Sequence, residues 1–171
     1  MCNVFGTQKV KSIYQKEPMI AHEIPNRAWS KVGTDLFHLN GHNYIIIVDY
    51  FSKFPEIVKL TDTTSGGIIT ALKSVFARHG IPDIVVSDNG PQYSSHEFRK
   101  FAQTWQFNHV TSSPTYPQSN GMAERTIQTV KQILKKAIKN GDDPYLSLLE
   151  FRNTPIDDNL GSPCQLLMNR R

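Results

Sequence analysis

The stretch that most constrains this chain is VGTDLFHLNGHNYIIIVDYF, residues 32–51, in which two apolar runs flank Asn40-Gly41. Asn and Gly tolerate the positive φ that a two-residue hairpin turn demands, so this pattern predicts an antiparallel hairpin. A third run, EIVKL, extends the sheet. The period then changes. Thr63, Thr64 and Ser65 can cap a helix whose apolar positions Ile68, Leu72, Val75 and Phe76 follow helical spacing, and Gly80 and Pro82 stop it. DIVVS reads as the next strand. Ser94 and Glu97 have capping-box spacing ahead of a helix carrying Phe98, Phe101, Ala102 and Trp105 on one side, and a short strand is expected around FNHVT. The clearest helix runs from about Ser119 to Lys139, with Ile127, Val130, Leu134, Ala137 and Ile138 as its buried stripe. Asn140-Gly141 ends it, and Asp142 or Asp143 ahead of Pro144 starts a last helix through YLSLLEF. Three strands, helix, strand, helix, strand and two helices predict an α/β domain, a mixed five-stranded sheet flanked by helices.

A chain of 171 residues, 39% of them hydrophobic, is long enough to bury one real core. Residues 1–25 show no sustained period and read as an arm or linker, leaving 26–171 as the domain. No run approaches the roughly eighteen consecutive apolar residues of a membrane span, and Met1 to Lys11 lacks the apolar centre of a signal peptide. An intracellular chain with no membrane partner is expected. Cys2 and Cys164 lie at opposite ends, so neither a disulfide framework nor a four-ligand zinc site can be read from them. His38 and His42 straddle the hairpin turn without a Cys pair, which argues against zinc there. A formal charge of +4 suits a polyanionic partner but is common among proteins that have none.

Three acids stand out against this frame. Asp35 lies inside the first strand between Val32 and Leu39, where an unpaired charge is costly to bury. Asp88 follows DIVVS in SDNG, which by itself reads as a turn. Glu124 sits in the first turns of the long helix. Each has an ordinary explanation: a buried cationic partner for Asp35, a turn for Asp88, the helix dipole for Glu124. Together they have another. Phosphoryl transfer uses carboxylate clusters to hold two divalent ions about 3.5 to 4 Å apart, and hard oxygen donors suit Mg²⁺.

The blocks VGTDLF, VSDNGPQY and SPTYPQSNGMAERTIQTVK resemble the three catalytic blocks of retroviral and gypsy-class LTR-retrotransposon integrases. The resemblance covers about Pro25 to Arg171 and implies a ribonuclease-H-like fold. It implies that Asp35, Asp88 and Glu124 are catalytic and bind Mg²⁺ or Mn²⁺, with the three carboxylates in one pocket, about 4 to 8 Å apart. It further implies DNA partners (element ends and target DNA), a homo-oligomer, and a nuclear place of action within a retroelement polyprotein. Similar integrases carry an upstream His/His/Cys/Cys zinc module. Cys2 is a candidate remnant of it, but position 5 is Phe and the two His ligands are missing.

On the long helix Glu124, Gln128, Lys131 and Lys135 recur at spacings of four, three and four, hence on one face. Lys131 is expected to hold a DNA phosphate beyond reach of the metal, so that its loss should leave metal affinity unchanged. The resemblance suggests the same DNA role for Gln128, and Lys135 continues the basic face. In the preceding loop Tyr116, Gln118, Ser119 and Asn120 offer stacking and hydrogen bonds to an unpaired DNA end, although a plain connection can use the same residues. Two rival functions remain: a domesticated or truncated integrase that binds without catalysing, and a ribonuclease H acting on RNA–DNA hybrids. The long loop and basic helix suit DNA ends better than a hybrid groove.

Overall fold

A computed structural model describes residues 25–112 and 121–170, with the side chains of 121–123 left aside. The elements run β1 (Lys31–Leu39), β2 (His42–Asp49), β3 (Pro55–Leu60), α1 (Ser65–His79), β4 (Ile84–Ser87), α2 (Pro91–Ser94), α3 (His96–Trp105), β5 (Asn108–Thr111), α4 (Gly121–Asn140), α5 (Pro144–Asn153) and α6 (Pro163–Met168). The sheet order is β3-β2-β1-β4-β5. The first three strands pair antiparallel, while β4 joins β1 and β5 in parallel. The mixed five-stranded sheet read from the sequence is thus the observed one.

The hairpin closes with Leu39 opposite His42. Asn40 and Gly41 both have positive φ, 49° and 75°, as the mirror-image turn requires. Strand alternation then sorts side chains to two faces. Val32, Ile45, Ile47 and Val85 meet α1 and α3 through Ile68, Leu72, Phe76, Phe98 and Phe101. Phe98, Phe101 and Phe107 pack edge to face, with ring centroids 5.1 to 6.4 Å apart. On the opposite face Ile46 and Val48 meet Ile127, Val130 and Leu134 of α4 and Leu148 of α5, with Phe37, Leu39 and Ile57 half-buried alongside. Each such fully buried aliphatic contributes about 1.5 to 3 kcal/mol. Among the described residues no helix is long and apolar enough to cross a membrane.

The helix caps mostly follow from local chemistry. Thr64 accepts from Gly67 N at the start of α1, and Asp143 accepts from Tyr145 N at the start of α5. The capping box expected at Ser94 is corrected by one residue: Ser95 accepts from Phe98 N. Pro91, suited to a first helical position, opens the extra turn α2, and Ser94 closes that turn instead of capping α3. The short α6, with its own capping box between Ser162 and Gln165, is a further element that apolar periodicity did not announce.

Candidate metal and nucleic-acid site

Strand register sets the site. In the parallel pair, Gly33 of β1 lies opposite Val86 of β4. Continued two residues past that last pair, the register brings Asp35 level with Asp88, just beyond the end of β4, with neighbouring strands about 4.8 Å apart. Asp35 shares its face with Phe37 and Leu39, which pack toward α4. Asp88 continues the face of Ile84 and Val86, which cluster with Tyr50. On α4, Glu124 lies one turn before Ile127, a buried residue of the stripe on that face. Register and helical spacing therefore direct all three acids to one side of the sheet.

Each carboxylate is nonetheless engaged or solvated separately. Asp35 Oδ1 accepts from Leu36 N at 2.7 Å, and its Oδ2 accepts from Lys131 Nζ at 2.7 Å. The Lys131 ammonium also lies 3.5 Å from Leu36 O and 5.5 Å above the Phe37 ring. Asp88 Oδ1 turns back to accept from Gly90 N at 3.1 Å. A Cβ on residue 90 would come within 3.0 Å of that same oxygen, so glycine suits the turn. Glu124 is exposed. Among the described residues no group of three His, Cys, Asp or Glu side chains stands together as a metal-holding set. The three-acid pocket expected from the sequence does not stand as a group among the described residues; Asp35 and Asp88 each accept from a nearer donor, and gathering three like charges is opposed by their repulsion. The donor set still fits a hard divalent cation, since it is all carboxylate and one member already holds a cation.

Two buried tyrosines border these acids. The Tyr93 hydroxyl lies 3.2 Å from Thr34 Oγ1. Burial, with added repulsion from Asp88 and Asp35, pushes its pKa upward. Tyr50 is shifted the same way, by burial first and by the Glu124 charge second. Ser87, next to Asp88, donates to Asp88 O at 2.8 Å and stands 2.8 Å from His109 Nε2. Burial holds the His109 imidazole below its ordinary pKa.

Lys131 departs from expectation, because its ammonium sits on Asp35 itself instead of beyond the acids. Gln128 and Lys135 are exposed on α4. Tyr116, Gln118, Ser119 and Asn120, like the arm with Cys2, lie outside the described residues.

A model of the integrase core domain matches residues 22–117, more than half of the chain. The chain belongs to the integrase core domain family. An uncharacterized protein of Caenorhabditis elegans is 36% identical over 144 residues, 81% of this chain and 11% of that protein. The Gag-Pro-Pol polyprotein of Mason-Pfizer monkey virus is 34% identical over 119 residues, 69% of this chain and 7% of the polyprotein. This integrase core thus spans only about a tenth or less of those curated relatives. Among solved structures, a chain of the simian T-cell lymphotropic virus intasome in complex with PP2A regulatory subunit B56 gamma superposes with a TM-score of 0.74 at 24% identity, covering 87% of this chain and 58% of that one. The HTLV-2 integrase catalytic core domain in complex with magnesium, in its dimeric form, gives 0.68 at 19%, covering 85% and 99%. The fold is ribonuclease-H-like.

Two acids of this integrase core, Asp49 and Glu56, were not singled out by the sequence reading. Asp49, fully buried, accepts from Trp29 N, Phe51 N, Ser52 N and Ser52 Oγ at 3.1, 3.3, 3.0 and 2.6 Å. An Asp-x-x-Ser directly after an apolar run was the available signal. Glu56 pairs with His79, Arg152 and Arg78 at 2.6, 3.3 and 3.7 Å, tying β3 to the ends of α1 and α5.

Proposed function

We propose that this core is a metal-dependent polynucleotidyl transferase of DNA integration, which trims the 3′ ends of retroelement DNA and joins them to target DNA. The observation that supports it is the β1–β4 register, whose continuation by two residues brings Asp35 level with Asp88, together with the Lys131–Asp35 contact that sets α4 against that face. Those three carboxylates would hold Mg²⁺ or Mn²⁺, which supplies charge stabilisation at the transferred phosphoryl and a lowered pKa for the attacking hydroxyl. Lys131 beside Asp35, with Gln128 and Lys135 exposed on the same helix, offers cationic and amide groups that suit a phosphate backbone. Tyr116, Gln118, Ser119 and Asn120 belong to the same reading as contacts to the unpaired end. The magnesium complex of the HTLV-2 core supports the choice of metal, and its dimeric form supports a homo-oligomer. On α5, Tyr145, Leu146 and Leu149 stand 81%, 55% and 49% exposed, an apolar surface consistent with such assembly. Action on chromosomal DNA places the protein in the nucleus.

A second reading is a binding module that keeps the fold without turnover, and the Asp35–Lys131 ion pair favours it, since it neutralises one acid internally. Incubating the purified chain with a pre-branched DNA intermediate and Mn²⁺ separates the two. Reversal of strand joining that is lost in Asp35→Asn supports the transferase; tight binding of DNA ends with no reversal at any Mn²⁺ concentration rejects it in favour of the module.

A further inference from the structure

Among the described residues Tyr50 is a buried donor with nothing to donate to. It directly follows β2, its ring 7% exposed and packed against Val86 and Ile84. Its backbone is pinned on both sides: Tyr50 N donates to Lys31 O at 2.9 Å, and Tyr50 O accepts from Lys53 Nζ. The Lys31 ammonium covers one face of the ring, 4.5 Å from its centroid. The hydroxyl so fixed has no hydrogen-bond partner among the described residues. A buried hydroxyl left unpaired is destabilising, and native structures retain few of them without a reason.

Strand alternation puts Tyr50 on the sheet face that α4 covers. Ile127 and Val130 of α4 share a cluster with Val48 and Ile46 of β2. Lys131 reaches Asp35, while Leu134 and Ile138 border Leu39 and Tyr44 near the hairpin end, so α4 runs back along the sheet with its N-terminus toward the end of β2. One turn back from Ile127 is Glu124, and two residues on from Val48, on the same face, is Tyr50. Glu124 itself is exposed and free to turn.

We infer that Tyr50 is a positioning residue for Glu124: its hydroxyl donates a hydrogen bond to the Glu124 carboxylate and draws it from solvent onto the face it shares with Asp35 and Asp88. The inference rests on the proposed metal site, because only a cation there offsets the repulsion that gathering three carboxylates entails. The Lys31 ammonium above the ring strengthens the phenol as a donor. Tyr50 touches no substrate; it acts through Glu124.

The test titrates the full chain with MgCl₂ and reads two quantities, calorimetric affinity and the ¹⁹F resonance of Tyr50 in protein made with 3-fluorotyrosine, assigned by its loss in Tyr50→Phe. Tyr50→Phe keeps the ring and its packing, so melting should be unchanged or slightly higher. Its Mg²⁺ affinity should fall about tenfold, the usual effect of losing a group that orients a metal ligand. In the wild-type protein the Tyr50 resonance should move in step with Mg²⁺ binding, and in Glu124→Ala it should stay still. If wild type binds Mg²⁺ but Tyr50→Phe binds it equally well, or the resonance does not move, the role of Tyr50 is refuted and the metal site stands. If wild type binds no Mg²⁺, the metal site and this inference are both refuted.

Discussion

Replacing Lys131 with Ala should tighten metal binding and loosen DNA binding in one step, because the proposed function adds a DNA phosphate to the Asp35 carboxylate that this side chain already holds. Its ammonium lies 2.7 Å from Asp35 Oδ2, with side-chain exposures of 13% for Lys131 and 36% for Asp35. Two unit charges at that distance attract by about 1.5 kcal/mol in bulk water and several times more at an effective dielectric near 20. Fixing a long side chain and screening by water cut the net value, and exposed pairs usually retain about 0 to 1 kcal/mol. For a pair half-shielded on the lysine side we take about 1 kcal/mol, which a divalent ion must overcome to use that oxygen. Without the ammonium, Mg²⁺ should bind about fivefold more tightly. Loss of one phosphate contact should meanwhile lower the slope of log affinity against log salt by about one for an element-end DNA. Calorimetry with MgCl₂ and a salt series with DNA read the two effects separately. Unchanged or weaker Mg²⁺ binding in Lys131→Ala would refute the competition, and an unchanged salt slope would remove Lys131 from the DNA path.

The other expectations are more local. Asp88→Asn should abolish Mn²⁺-dependent reversal of strand joining while leaving the melting temperature equal or higher, since an amide oxygen can still accept from Gly90 N and one repelling charge is gone; surviving activity would remove Asp88 from the metal site. Burial alone would raise the Glu56 pKa, but the His79 hydrogen bond and the charges of Arg152, Arg78 and His79 outweigh it and hold it below the ordinary value. Its folded pKa is therefore the lower one, so its stabilising contribution is present above the unfolded carboxylate pKa, near 4.5, and is lost as pH falls through the folded value. Urea midpoints across pH 3 to 6 should fall on the acid side in wild type and stay flatter in Glu56→Gln; parallel curves would contradict this. Asp49→Ala should destabilise by about 3 kcal/mol or more, read by denaturant melting, because it strands several buried donors at once.

What could be read from the sequence, and what could not, follows the range of the interactions. Asn40-Gly41 announces its hairpin because the turn is chosen by two residues' own backbone freedom. The α4 stripe is equally plain, since Ile127, Val130 and Leu134 repeat at the helix's own spacing. Ser95 was misplaced by one position because Pro91 starts a turn that the apolar pattern does not mark. Glu56 gave no sign at all: its partners His79 and Arg152 stand far along the chain, and nothing periodic links them to it. Asp35 was legible as a charge inside an apolar strand, and Asp88 and Glu124 only jointly with it and through the family resemblance. Their engagement was not, because the partners of Asp35 and Asp88 depend on which donors folding leaves nearest.

The two halves of the candidate site are held with unequal strength. Asp35 lies in β1 and Asp88 just after β4, the neighbouring strand of the parallel pair, which are backed by the larger apolar cluster through Val32, Val85 and the aromatic layer of α3. Glu124 and Lys131 ride together on α4, which is fastened to the opposite face by the smaller cluster around Ile127, Val130 and Leu134. One helix therefore carries both the third acid and the cation that neutralises the first. A small rotation of α4 about its axis moves both side chains at once, and a cation on Asp35 that displaces Lys131 removes one of the helix's polar ties to β1. On this reading metal and DNA both act on the placement of α4: the metal by taking Asp35 from Lys131, the DNA by taking Lys131 from Asp35. Each then favours the other, and the coupling must be reciprocal, with Mg²⁺ raising DNA affinity by the same factor as DNA raises Mg²⁺ affinity. In Lys131→Ala this component of the coupling disappears even though Mg²⁺ alone binds more tightly. Coupling of undiminished size in that variant, measured as Mg²⁺ affinity with and without an element-end DNA, would show that the exchange at Asp35 is not what links the two ligands.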